Sequence, residues 1–154
     1  MKAPAAVALL LAITAATAAP LASAAKLKLL SIGEVIATAP KAQTKLSLVR
    51  SSLEAELDTI DWRKSTKNKP YVVSVSVVGL ETETTREKVS TTCELSTTVR
   101  SAKDGSVVAI LNQRTRAENE PNYAKSVEDG AIRAAASASI RKIPLALESA
   151  KKGH

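Results

Sequence analysis

Apolar residues recur along this chain with two periods, which predict helices and strands. Between residues 41 and 60 they lie three and four apart, as in an amphipathic helix with one buried stripe. That stripe consists of Leu46, Val49, Leu53, Leu57 and Ile60. A second helix is predicted from about Val127 to Leu147. Its stripe consists of Ile132, Ala136, Ile140, Ile143 and Leu147.

Between these helices, apolar and polar residues alternate with period two, which is typical of strands with one buried face. The predicted strands run from Tyr71 to Val78, from Val89 to Arg100 and from Val107 to about Ala117. Asp104-Gly105 predicts a tight hairpin turn, because the favoured hairpin turns require positive φ. A shorter apolar run, Lys26 to Ile36, predicts a strand before the first helix.

Local features indicate where these elements begin and end. Polar residues from Glu81 to Lys88 predict the first chain reversal. Ser126 with Asp129 three residues later resembles a capping box at the start of the last helix. Pro144 is expected to kink or end that helix, because proline lacks the N–H that the helix interior needs.

The resulting order is β-α-β-β-β-α, and we predict an α/β (α+β) two-layer sandwich. Its sheet is rich in antiparallel pairs, with two helices on one face. The other sheet face carries Ser and Thr and is left to solvent or to a partner. Residues 25–148 form one predicted domain, and residues 149–154 form a flexible basic tail.

The N-terminal segment, residues 1–24, is predicted to be a signal peptide. Met1-Lys2 is followed by an uncharged apolar run, Ala5 to Ala19, and then by Ala22-Ser23-Ala24, which suits a signal peptidase. The run is too short and too rich in Ala and Thr for a retained membrane span. Ala25 stands where a bacterial lipoprotein has its lipidated cysteine. We therefore expect a soluble exported protein, periplasmic or secreted.

A basic cluster follows the first helix. The formal net charge of the chain is +7, which favours acidic partners but also serves solubility. The cluster consists of Arg63, Lys64, Lys67 and Lys69, with Trp62 beside it. One interpretation is an anion-binding clamp with Trp62 as a hydrophobic anchor. The preferred interpretation is a solvated loop, with Trp62 closing the end of the core.

Most of the groups that catalysis needs are missing from the sequence. The only histidine is His154, the last residue, which cannot be held in the geometry that general base catalysis requires. The only cysteine is Cys93, so no internal disulfide can form. At mid-strand it is expected to be a small buried side chain rather than a reactive thiol. We expect no enzyme activity, no metal site and no cofactor.

Two catalytic alternatives stay open. Glu81 and Glu83 point the same way on an extended chain and could act as a carboxylate pair on a glycoside. The preferred interpretation is a solvated turn. A Ser-Lys dyad is compatible with the many Ser and Lys residues, but no motif supports it. Sequence-specific nucleic-acid binding is not expected, because phenylalanine is absent and stacking on bases needs several aromatic residues.

The run VSTTCELSTTVRSAKDGSVVAILNQRTRAE, followed by SVEDGAIRAAASASIRKIP, carries a family resemblance. It resembles small bacterial envelope modules of the curli-secretion and penicillin-binding-protein-activator lipoprotein type. In those modules a D-G-x-V-V turn joins two strands ahead of an Ala-rich helix, as Asp104, Gly105, Val107, Val108 and residues 131–138 do here. The resemblance implies a non-catalytic scaffold or partner-binding module. Such modules are usually lipid-anchored, whereas this chain lacks the anchoring cysteine.

We therefore expect an exported, non-catalytic protein-binding or scaffold module of the bacterial cell envelope, with another envelope protein as partner. The alternative is a basic protein that binds an anionic polymer or membrane surface nonspecifically. Homo-oligomerisation is a further option.

Overall fold

The computed structural model describes residues 28–152, which fold into a four-stranded sheet covered by helices. The strands are β1 (Leu30–Ala37), β2 (Tyr71–Thr84), β3 (Val89–Ser101) and β4 (Val107–Asn119). The helices are α1 (Leu46–Leu57), α2 (Arg63–Thr66) and α3 (Ala124–Lys152). Short 3₁₀ turns, Pro40–Lys45 and Pro121–Tyr123, lead into α1 and α3.

The strands lie side by side in chain order, β1-β2-β3-β4. β1 pairs parallel with β2, and the other two pairs are antiparallel. A parallel pair needs a long crossover connection, and α1 lies in that connection. Both long helices pack on one face of the sheet, α1 near β1 and α3 across β3 and β4. The predicted two-layer architecture is confirmed, and the element order is as predicted except for the short helix α2 between α1 and β2.

The core lies between the helices and that face. β2 contributes Val73, Val75 and Val77, all almost fully buried. The helices cover them with fully buried aliphatic side chains, namely Val49 and Leu53 of α1 and Ile132, Ile140 and Ile143 of α3. Burying a side chain of this size stabilises a fold by roughly 1.5–3 kcal/mol. Fully buried alanines, Ala131, Ala135 and Ala136, let α3 lie close to the strands.

A bulge at Val78 in β2 keeps this core continuous. Val77 pairs with Leu95 and Gly79 with Glu94, so Val78 has no partner opposite it on β3. The extra residue reverses the alternation of facing. Val77 before the bulge and Leu80 after it therefore both face the helices, and both are buried.

The last helix is longer than predicted. α3 begins at Ala124 and continues through Pro144 to Lys152, so the prediction that Pro144 could end it is wrong. Ile143 and Leu147 are buried on either side of the proline, and their packing holds the helix where one backbone hydrogen bond is lost. Residues 149–152, predicted to belong to a flexible tail, form its end. Gly153 and His154 lie outside the described residues.

The first chain reversal is shorter than predicted. The strands continue through most of the polar segment, and only residues 85–88 form the turn. The Thr85 backbone N–H donates to the Lys88 carbonyl at 2.8 Å, and the Thr85 hydroxyl donates to the same oxygen at 3.0 Å. Glu81 and Glu83 consequently lie on a strand.

No helix within residues 28–152 has the length and apolar character needed to cross a membrane. The predicted signal peptide lies outside the described residues, so its cleavage stays a prediction.

Candidate functional site

Cys93 lies mid-strand on β3 and faces the helices, as the alternation predicted. Its side chain is fully buried. Burial away from water, together with the neighbouring charge of Glu94, raises the pKa of the thiol to about 11. The thiol therefore stays protonated near neutral pH, and a protonated buried thiol is a poor nucleophile.

The carboxylate pair has no enclosed site around it. Glu81 and Glu83 are both exposed near the end of β2, opposite Thr92 and Ser90. Within residues 28–152, no three His, Cys, Asp or Glu side chains come together in a way that could hold a metal ion.

The sheet face turned away from the helices is here called the open face. It carries small polar side chains at its centre. Ser76, Ser96 and Asn112 form one row across it, in register on three strands. Around this centre stand four exposed aliphatic side chains, namely Ile36 (42% exposed), Val78 (49%), Val107 (51%) and Ile110 (63%). Most of the large exposed hydrophobic residues in the described part of the chain therefore share this face.

A depression of about 420 Å³ lies on the open face. Val78, placed outward by the bulge, forms one wall, and Ser96 and Asn112 line its floor. At its other side the Arg114 side chain pairs with Glu94, with 3.2 Å between Nε and Oε1. The depression combines an apolar wall, neutral polar groups and an exposed ion pair, which is the usual composition of a protein-binding surface.

Trp62 closes one end of the core. Its side chain is buried, and its Nε1–H donates to the Leu57 carbonyl at 2.8 Å, satisfying an oxygen at the end of α1. The Thr66 hydroxyl in turn donates to the Trp62 carbonyl at 2.8 Å. Trp62 is therefore held inside the fold.

Part of the basic cluster forms a short helix, where the sequence favours a solvated loop. Arg63 and Lys64 begin the short helix α2, and Lys67 ends it in a left-handed conformation with φ of 49°. The hydrogen bonds of Thr66 to Trp62 and of the Lys67 N–H to the Arg63 carbonyl at 3.1 Å fix this turn. All four cluster side chains, Arg63, Lys64, Lys67 and Lys69, are exposed.

Tertiary structure brings further lysines to this cluster. The Lys151 ammonium donates to the Ser65 carbonyl at 2.5 Å, which joins the end of α3 to α2. The Ala102 N–H donates to the Pro70 carbonyl at 3.0 Å, which brings the Lys103 turn beside Lys69. The Tyr71 N–H donates to the Leu29 carbonyl at 2.8 Å, which brings Lys28 to the same end of the sheet.

We call this end of the molecule the basic end; it comprises Lys28, Arg63, Lys64, Lys67, Lys69, Lys103 and Lys151. The acids at this end are Glu54, Asp58, Asp61, Asp104 and Glu148, so cations still outnumber acids. Sequence reasoning missed Lys28, Lys103 and Lys151 because they lie far apart along the chain. These lysines could have been predicted from the order of the strands, because strand ends and the turns between them meet at one end of a sheet.

A charged tie joins α3 to the turn before α1. The Lys45 ammonium lies 2.9 Å from Oε1 of Glu128 and 2.8 Å from Oδ1 of Asp129. Hydrogen bonds to Asp129 and Glu128 raise the pKa of Lys45, and the Lys45 hydrogen bond lowers the pKa of Asp129. The predicted capping box is not formed, because α3 begins before Ser126 and Asp129 binds Lys45 instead.

No family model matches the chain, and no curated protein matches it. Solved structures with a similar fold include a candidate lipoprotein of Caulobacter crescentus, with a TM-score of 0.52 at 16% identity, covering 82% of this chain and 93% of that one. A DUF330 protein of Xanthomonas campestris has a TM-score of 0.53 at 11% identity, covering 79% and 90%. A minor lipoprotein of Acinetobacter baumannii has a TM-score of 0.50 at 12% identity, covering 75% and 93%.

At these identities the likeness establishes a shared fold and no shared activity. At the level of the fold, it confirms the weak resemblance of the sequence to small bacterial envelope modules.

Proposed function

We propose that this protein is a non-catalytic binding module of the bacterial cell envelope that holds another envelope protein on its open face. The observation that carries the proposal is the group of exposed aliphatic residues on that face, Ile36, Val78, Val107 and Ile110. These four side chains share one sheet face with small polar groups between them, and exposed aliphatic groups rimmed by polar residues are typical of interaction surfaces. The buried, protonated Cys93 thiol offers no nucleophile, which supports a non-catalytic role.

Site-specific photocrosslinking in the envelope tests this proposal. A benzoylphenylalanine at position 110 or 78 should give a discrete heavier adduct containing a second protein. Position 145 is a matched control, because Leu145 is 67% exposed and lies on α3, in the other layer.

Recovery of monomer alone from positions 110 and 78 would count against the proposal, and so would the same adduct from position 145. An adduct of twice the protein's own mass would replace the envelope partner by a second copy of this chain. The yield of the adduct should be the same when the irradiation is carried out at high salt, because contacts between apolar side chains are not screened.

The basic end favours a second candidate, binding to an anionic polymer or membrane surface. Within residues 28–152 none of its cations forms a salt bridge. Hydrogen bonds between strand ends, turn and helix hold them together, so their charges add at one place. Such a concentration of charge attracts anionic surfaces, and the attraction falls as salt rises.

Co-sedimentation with anionic lipid vesicles at low salt tests the second candidate. Neutralising Lys64→Gln, Lys67→Gln and Lys69→Gln together should reduce binding at least tenfold. The matched control is Lys41→Gln, Arg86→Gln and Lys142→Gln, which removes the same charge from exposed positions elsewhere. Equal losses in both triple variants would show that net charge alone is responsible, and the basic end would then have no role of its own.

A further inference from the structure

A groove lies at the start of α3, on the helix layer and away from both surfaces described above. It has a volume of about 520 Å³, within the range of small-molecule sites. Asn122, Tyr123, Lys125, Ser126, Gly130 and Arg133 line it. These residues come from the 3₁₀ turn Pro121–Tyr123 and from two turns of one continuous helix, so the fold fixes their spacing.

Tyr123 is the exposed aromatic residue of this groove. The chain has one Trp, two Tyr and no Phe. Trp62 and Tyr71 are buried in the core, whereas Tyr123 is 51% exposed. A tyrosine ring offers an apolar face and a polar edge. Sugar rings have the same combination, with an apolar C–H face and hydroxyl groups around the edge.

The groove carries positive charge. Lys125 and Arg133 are both exposed, and neither forms a salt bridge within residues 28–152. The one acid in the lining, Asp129, is already bound by Lys45 at 2.8 Å. After the Lys45 hydrogen bond, the nearby charges of Lys125 and Arg133 also lower the pKa of Asp129. Both cations therefore remain able to bind an anion.

Gly130 keeps the groove open. It lies inside α3, where glycine weakens a helix compared with alanine. A Cβ added at Gly130 would meet no atom within 4 Å. Packing in this structure therefore does not require glycine at this position. Any side chain here would instead occupy space in the groove.

The groove continues between the helices. A second depression of about 360 Å³, lined by Leu48, Ser51, Ser52, Ala55 and Glu56, shares Arg133 with the first. This second depression lies beside α1, and its one acid, Glu56, is bound by Arg141 at 2.6 Å.

We propose that this groove binds a chain of acidic sugars. Tyr123 packs on a ring, Lys125 and Arg133 bind its carboxylate groups, and Asn122 and Ser126 bind hydroxyl groups. Gly130 leaves room for the ring over the helix. The site is independent of the open face and of the basic end.

Calorimetry of the purified chain with short oligogalacturonate tests this proposal, with a maltooligosaccharide of the same length as the neutral control. Binding is expected for the acidic oligomer and at least tenfold weaker for the neutral one. Tyr123→Ala and Arg133→Gln should each weaken acidic-oligomer binding about tenfold. Lys64→Gln with Lys69→Gln, at the basic end, should leave it within twofold.

Gly130→Ala gives the most direct test, because it should increase the stability of the fold and decrease the affinity for the acidic oligomer. The added methyl should raise the urea midpoint of unfolding and weaken oligogalacturonate binding at least fivefold. A variant that is more stable and binds as well as the original chain would overturn the proposal. Absence of binding by the original chain would also overturn it, as would equal binding of poly-glutamate.

Discussion

At the residue scale, two hydroxyl groups lie in the core without a partner. The Thr97 and Ser139 hydroxyl oxygens are buried and, within the described residues, accept and donate no hydrogen bond. A buried polar group that makes no hydrogen bond costs about 1–3 kcal/mol. Both residues therefore lower the stability of a core that is otherwise aliphatic.

Thr97→Val should consequently raise the free energy of unfolding by about 1 kcal/mol, because valine keeps the shape and removes the unpaired hydroxyl. Urea unfolding measures this. Thr91→Val is the matched control on the same strand face, where the hydroxyls of Thr91 and Thr82 lie 2.9 Å apart. That variant should lose stability, and a gain at both positions would contradict the explanation.

The charged tie makes stability depend on pH. The pKa of Asp129 is lowered by its hydrogen bond from Lys45, so its contribution is present above the ordinary aspartate pKa. That contribution is lost as pH falls through the lowered pKa, below about 4. The pKa of Lys45 is raised, so its contribution is present below about 10.4 and lost above.

Lys45→Met should therefore cost about 1 kcal/mol at pH 7 and much less at pH 3. Urea unfolding at the two pH values gives the comparison. Glu54→Gln breaks the more exposed Arg50–Glu54 pair, where the two atoms are 3.7 Å apart, and should change the free energy of unfolding by only about 0.3 kcal/mol. A Lys45→Met cost that is the same at both pH values would rule out the tie as its cause.

At the element scale, α3 continues through a proline because the residues on either side of it are packed in the core. Pro144→Ala should raise the free energy of unfolding by about 2 kcal/mol, because alanine restores the missing N–H and removes the clash with the preceding turn. Leu145→Ala is the neighbouring control, since Leu145 is exposed and its loss should change stability by less than about 0.5 kcal/mol. An unchanged or lower urea midpoint in Pro144→Ala would show that the helix is bent to fit the proline.

The strands show where a pattern predicts well and where it does not. Alternation in β3 is unbroken over its whole length, and it correctly predicted that Cys93 faces inward. In β2 the alternation reverses at Val78, and the predicted strand ended there. Leu80 and Thr82 face the helices after the bulge, so the sequence itself contains the reversed alternation. Only the pairing with β3 shows that a bulge, rather than a turn, reverses the alternation.

At the scale of the whole molecule, charge is distributed unevenly. The +7 formal charge was available from composition. Its concentration at the basic end was not, because Lys28, Lys103 and Lys151 join Arg63–Lys69 only through contacts between distant segments. The open face was predicted as a Ser/Thr surface, whereas its aliphatic residues stand out only once the strands are in register.

Export is also a prediction at this scale. Expression of the full sequence in a bacterium should give an exported protein whose N-terminus is Ala25, because Ala22 and Ala24 have the small side chains that signal peptidase requires. Mass spectrometry of the exported fraction measures this. As a control, Ala24→Leu should leave the leader attached. An exported original chain that still begins at Met1 would contradict the prediction.

The sequence by itself determined the order of helices and strands and which face of each is buried, because those properties follow from local periodicity. It also determined that the chain has one histidine and one cysteine, because composition follows directly from the sequence. Only the tertiary structure decided the length of α3 through Pro144, and it selected the buried placement of Trp62 from the two that the sequence allowed. It alone also brought together the basic end, the open face and the groove at Gly130. Those features depend on contacts between residues far apart in the chain, and local patterns carry no information about such contacts.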